Sequence, residues 1–192
     1  MKYPCIYVVP VLVVLIFMST GCASTQSSNR GSVENPRNQQ LAAELTADAV
    51  QWMSEDPIKA EKILREALQA DLYHGPAHNN LGVIYLKRGE LYQAAEEFDW
   101  ARRLMPGHPD PRINLGLALE RGGKYDEALD AYASAIEVYP KHLHAVQALA
   151  RCQIRHGQRD EYTDDLLRII VFRGTPEWKS WAKTQLATNE SL

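Results

Sequence analysis

An all-α solenoid of antiparallel helix pairs, about four pairs closed by a capping helix, is the fold that these 192 residues predict. The first observation behind it is an internal repeat. Leu81-Gly82 returns as Leu115-Gly116, Ala94 as Ala128, Phe98 as Tyr132, Ala101 as Ala135 and Pro106 as Pro140, every pair 34 residues apart. The second is a glycine series at the same step, Gly89, Gly123 and Gly157, each placed where a first helix must end and a residue free to take positive φ can end it. The third is what fills the interval: glycines and alanines let two helices approach, while Phe98 and Tyr132 occupy the space between one pair and the next.

The elements follow in chain order. Residues 1–21 have the layout of a signal peptide, with Lys2 as the n-region, an apolar run from Ile6 to Met18 and the small residues Ser19-Thr20-Gly21. That run is short for a membrane span, which needs about 20 apolar residues, and Pro10 interrupts it. Residues 22–40 are polar, with Val33 the one large aliphatic, and read as a flexible tether reaching a little over ~20 Å. Four units are expected at 41–74, 75–108, 109–142 and 143–174, with helices near 41–53, 57–71, 76–88, 91–105, 110–121, 125–138, 143–156 and 159–172. In the last segment, 175–192, Thr175-Pro176 starts a helix, and Trp178, Trp181, Ala182 and Leu186 fall on one face as a lid over Leu166 and Ile170 of the fourth unit. Such a stripe is also what a partner-binding helix presents.

Two families are resembled. Leu81-Gly82, Tyr85, Ala94, Phe98, Ala101 and Pro106, with their equivalents one period on, resemble the tetratricopeptide repeat, although His78 and Arg112 stand where that family has a tryptophan. Ser19-Thr20-Gly21-Cys22-Ala23 resembles a bacterial lipobox, with Ser19 where the pattern prefers leucine. The first resemblance implies a right-handed superhelix that holds a protein or extended peptide in its concave groove. The second implies a lipid on Cys22, a cell-envelope location and, with Ala23 rather than aspartate after the cysteine, passage to the outer membrane facing the periplasm. Ordinary secretion and an uncleaved anchor are the other readings of the same leader.

The first helix of each unit lines the groove, which nominates Trp52, Asn79, Asn80, Val83, Lys87, Asn114, Leu117, Arg121, Gln147, Arg151 and Arg155. Asn80 and Asn114, one period apart, form two rungs able to bond the backbone of an extended peptide. Lys87, Arg121 and Arg155 repeat at the same step and suit an acidic peptide or a C-terminal carboxylate. Each also occupies the last turn of a helix, where a cation stabilises by about 0.3–1 kcal/mol without any ligand. Lys and Arg paired as in the carboxylate clamp of chaperone-binding repeats would fall at His144 and Ala148, a poor match. Trp52 is either a groove anchor or packing for the first unit.

Chemistry finds little here. No phosphate-cradling glycine loop, zinc-protease motif, nucleophile elbow or paired CxxC is present, so no enzyme and no cofactor is expected. His74, His108 and His142 share the 34-residue step but sit at least a helix spacing apart, roughly 8–10 Å, too far to share a metal. Cys152 is in phase with apolar residues and reads as a buried small hydrophobe. The formal net charge of −3, or −4 once Lys2 leaves with the leader, gives no case for nucleic acid. The expected function is a membrane-anchored adaptor that binds a protein partner in envelope, pilus or secretion assembly; the alternative is a self-associating structural module without a peptide ligand.

Overall fold

A computed structural model describes residues 37–189; the leader, Cys22 and residues 190–192 lie outside the described part. Among the described residues there are nine helices and no strand: α1 (Gln39–Trp52), α2 (Pro57–Ala70), α3 (Gly75–Arg88), α4 (Leu91–Leu104), α5 (Asp110–Arg121), α6 (Tyr125–Val138), α7 (Leu143–Arg155), α8 (Glu161–Arg173) and α9 (Pro176–Asn189). The eight repeat helices begin and end within two residues of expectation. Gly89, Gly123 and Gly157 do take positive φ, at 79°, 77° and 70°, so the three first helices end by the same left-handed step.

Packing follows the repeat. Gly82 and Gly116 lie against the rings of Phe98 and Tyr132, so close that a methyl group on Gly116 would sit 2.5 Å from Tyr132 Cε1. Both aromatic residues are fully buried. One apolar cluster spans α1 to α4 and a second spans α5 to α9, with Ala118 of α5 joined to the first. Trp178, Trp181 and Leu186 pack on the second cluster, and Ala182 between them is fully buried.

Two features depart from the sequence reading. Residues 37–40 belong to the folded unit rather than to a tether. Asn38 caps α1 by accepting from Leu41 N at 3.0 Å, its own N–H donates to Ala70 O at 2.9 Å, and Arg37 Nε donates to Asp71 Oδ1 at 2.7 Å. Polar composition hides this docking, because its anchor is an ion pair and a cap rather than apolar area.

The second departure is one of phase. The buried residues of α1, Ala42, Thr46 and Ala49, align with His78, Gly82 and Tyr85, 36 residues on, because the α1–α2 connection, 53–56, is two residues longer than the α3–α4 connection, 89–90. Stepping back by 34 therefore misplaces the groove-facing side of α1. Thr46 is buried and its hydroxyl donates to Ala42 O at 2.7 Å, and Val50 is exposed instead of matching Ile84.

Candidate functional site

The first helices α1, α3, α5 and α7 approach one another in succession, whereas α2, α4, α6 and α8 are held apart. The first helices thus form the tighter, inner layer of the curve. No helix among the described residues is long and apolar enough to cross a membrane.

On that inner layer Asn79, Asn80, Val83, Asn114, Leu117 and Arg151 are half-buried, Lys87, Arg121 and Arg155 are exposed, and Gln147 is buried. Several are already engaged with one another. Asn114 Nδ2 donates to Asn79 Oδ1 at 3.0 Å, so of the two rungs Asn114 is engaged across α3 and α5, by the neighbour of Asn80 rather than by Asn80 itself. Arg121 Nη1 reaches the Leu86 carbonyl at 3.4 Å. Lys87 has no ion-pair partner among the described residues.

The largest revision to the cation series is at Glu120. Its carboxylate, 5% exposed, accepts from Arg155 Nη1 at 3.0 Å, from Arg151 Nη2 at 3.3 Å and from the Tyr132 hydroxyl at 2.9 Å. Two of the four candidate cations are therefore tied to an acid of the preceding unit, which bonds α5 to α7 as well as lining the inner face. Burial, then the Glu120 charge, pushes the Tyr132 phenol well above its ordinary range. Glu120 escaped the sequence reading, yet its register carried a signal. Leu86 and Ile154, one period to either side, are apolar, and an acid among them marks a buried partner for cations.

Trp52 is no groove anchor. Its Nε1 donates to Asp48 Oδ1 at 3.3 Å and Lys59 Nζ lies 3.1 Å from its ring centroid, so its contacts are made within the first hairpin. The aromatic part of the inner face lies at α9, where Trp178 and Trp181 meet edge to face at 5.2 Å and, with Arg151 and Glu177, line a hollow of about 300 Å³. His78 takes the place of the family's tryptophan by bridging Glu97 Oε2 (Nδ1, 2.6 Å) and the Leu72 carbonyl (Nε2, 2.9 Å), and Trp100 of α4 stacks on it at 5.7 Å.

Glu120, Cys152 and His156 bring one ligand atom each within 4.8 Å of one another. The two guanidiniums on Glu120 oppose a cation there. Burial, followed by the Glu120 charge, raises the Cys152 thiol to about 11, so it stays protonated near neutral pH and packs as a small hydrophobe.

A stack of antiparallel helix pairs with a polar and cationic inner face defines an all-α helical-repeat protein, a fold typical of protein–protein interaction modules. Residues 119–161 match the family model for the tetratricopeptide repeat. A 98-residue stretch is 28% identical to tetratricopeptide repeat protein 28 of Mus musculus, covering 51% of this chain and 4% of that protein, so the chain spans a small fraction of this relative. Among solved structures, the first tetratricopeptide domain of Spaghetti (RPAP3) bound to the HSP90 peptide SRMEEVD superposes with a TM-score of 0.59 at 18% identity, covering 62% of this chain and 96% of that one. MamA of Desulfovibrio magneticus RS-1 superposes at 0.60 with 16% identity, covering 67% and 73%. These matches support the tetratricopeptide repeat family and an all-α helical-repeat fold for the chain.

Proposed function

We propose that the chain is a lipid-anchored adaptor of the cell envelope that holds an extended acidic segment of a partner protein against α3, α5 and α7, without catalysing a reaction. The observation that carries this is the inner face itself. Asn80, Val83 and Leu117 leave polar and apolar surface in reach, and Lys87 and Arg121 supply cations with no carboxylate partner among the described residues. A backbone-bonding amide flanked by cations suits an extended acidic chain. That the RPAP3 domain, alike in fold, takes a peptide of sequence SRMEEVD is consistent with an acidic ligand. Arg151 and Arg155 contribute less than sequence suggests, because both already pair with Glu120, whose single negative charge offsets one of the two cations.

The lipid anchor on Cys22, and with it an outer-membrane site facing the periplasm, belongs to the same proposal. It is supported by the leader and by Cys22 following Gly21. Metabolic labelling with a radioactive fatty acid tests it: label should enter the full chain and be lost with Cys22→Ser, and a chain that stays unlabelled and soluble defeats the anchor. For the groove, fluorescence anisotropy with an acidic heptapeptide and a lysine-for-glutamate version of it is decisive. Binding of the acidic peptide alone, weakened about tenfold by Lys87→Ala with Arg121→Ala and reduced by salt, is expected. Equal binding of both peptides, or none, overturns the acidic-groove reading. A molar mass that doubles with concentration in the absence of any ligand would favour the self-associating module instead.

A further inference from the structure

The outer layer holds a second site. Between α4 and α6, with α5 as its floor, lies a hollow of about 750 Å³, a size common among small-molecule pockets. The repeat register explains it. In the second unit Ile84 and Tyr85 of α3 are both buried, and the Tyr85 hydroxyl accepts from Arg65 Nη2 of α2 at 2.6 Å, so the wedge between α2 and α4 is filled. One period later those two places are taken by Ala118 and Leu119. The shorter side chains leave the corresponding wedge between α4 and α6 open, walled by apolar atoms of Leu115, Ala118, Leu119 and Ala131.

The charge around this hollow is uneven. Arg102 Nε donates to Asp99 Oδ1 at 2.6 Å, and Asp99 also pairs with Arg103. Arg112, half-buried, donates Nε to Ser134 Oγ at 3.0 Å and Nη1 to the His108 carbonyl at 3.1 Å, and has no carboxylate partner among the described residues. Burial and then the Arg102 charge lower its pKa, and the more distant Glu137 charge offsets this only in part. Two lining acids have no cationic partner among the described residues, Glu96, which accepts from the Tyr92 hydroxyl, and Asp130; both are exposed, where solvent screens them.

We propose that this outer hollow binds a small amphipathic carboxylate, its apolar body against Leu115, Ala118, Leu119 and Ala131 and its carboxylate at Arg112 beside Arg102. The site is separate from the inner face and stands or falls without it. Calorimetric titration of the full chain with decanoate, below the concentration at which decanoate self-associates, tests it beside the uncharged decanamide and the cation decyltrimethylammonium. Decanoate should bind one to one and the cation should not. Leu119→Tyr, which copies Tyr85 of the second unit, and Ala118→Ile, which copies Ile84, should each weaken decanoate at least tenfold with helicity retained. Arg112→Gln should weaken decanoate about tenfold and leave decanamide unchanged. Lys87→Ala with Arg121→Ala should change nothing here. The proposal is overturned if wild type fails to bind decanoate, if anion and cation bind alike, or if both filling variants fold and bind as wild type does.

Discussion

At the residue scale, the repeat's small and charged positions make opposite demands. Gly116 sits inside α5, where alanine would gain about 1 kcal/mol of helix propensity. The added methyl meets Tyr132, which is fully buried and cannot withdraw, and overpacking costs about 1–3 kcal/mol. Gly116→Ala should therefore lower stability by up to about 2 kcal/mol in urea unfolding, whereas Gly107→Ala, with open space around its Cβ, should stay within about 0.5 kcal/mol. Glu120→Ala should cost about 2 kcal/mol, because it leaves the Tyr132 hydroxyl buried without an acceptor and frees Arg151 and Arg155. A double-mutant cycle with Arg155→Ala should return a smaller coupling, since that side chain is 59% exposed. Legibility differs between the two residues for a physical reason. Glycine against an aromatic ring recurs at a fixed step and shows itself as periodicity. Glu120 occurs once, so its role depends on which cations another helix brings to it.

At the element scale, the helices were legible almost to their ends because each is bounded by a local device: Asp56 caps α2 by accepting from Lys59 N at 2.9 Å, Asp160 with Thr163 forms a capping box on α8, and three glycines step into left-handed backbone. What periodicity cannot reveal is a change in loop length, and the longer α1–α2 connection is why a 34-residue step back from α3 misplaces the inner side of α1. The segment before α1 was obscured in another way. Arg37 bonds Asp71 through Nε at 2.7 Å and Nη2 at 3.2 Å, and the Asp71 side chain is 2% exposed, so one ion pair docks the chain entry onto the end of α2. The hydrogen bond from Arg37 holds the Asp71 carboxyl below its ordinary value. A folded-state pKa below the unfolded one stabilises above the unfolded value and loses that stabilisation as pH falls through the folded one. Arg37→Ala should accordingly unfold more readily than wild type at pH 7, with the gap closing below about pH 4 as Asp71 protonates in the unfolded and then the folded chain. Circular dichroism across pH 2–7 at fixed urea measures it; a gap constant over that range would mean that the pair contributes nothing through charge.

At the scale of the whole molecule, stacked hairpins touch only their neighbours, so stability is carried locally and an end needs its own cover. α9 provides that cover. Its Trp178, Trp181 and Leu186 pack on the cluster that holds Leu166, Leu167 and Ile170, while Ser180, Lys183 and Thr184 on its other side meet solvent. Partial burial of two tryptophans and a leucine, at about 1.5–3 kcal/mol for each large side chain fully buried, puts the contribution of α9 at about 3–6 kcal/mol. Removing residues 175–192 should not lower protection evenly. Hydrogen exchange should quicken first in α8 and α7, whose apolar faces are uncovered, less in α5 and α6, and hardly at all in α1 to α4, which form a separate cluster. Were protection to fall equally along the eight remaining helices, the chain would be a single cooperative unit, and α9 would be part of one core rather than the cover of the last hairpin.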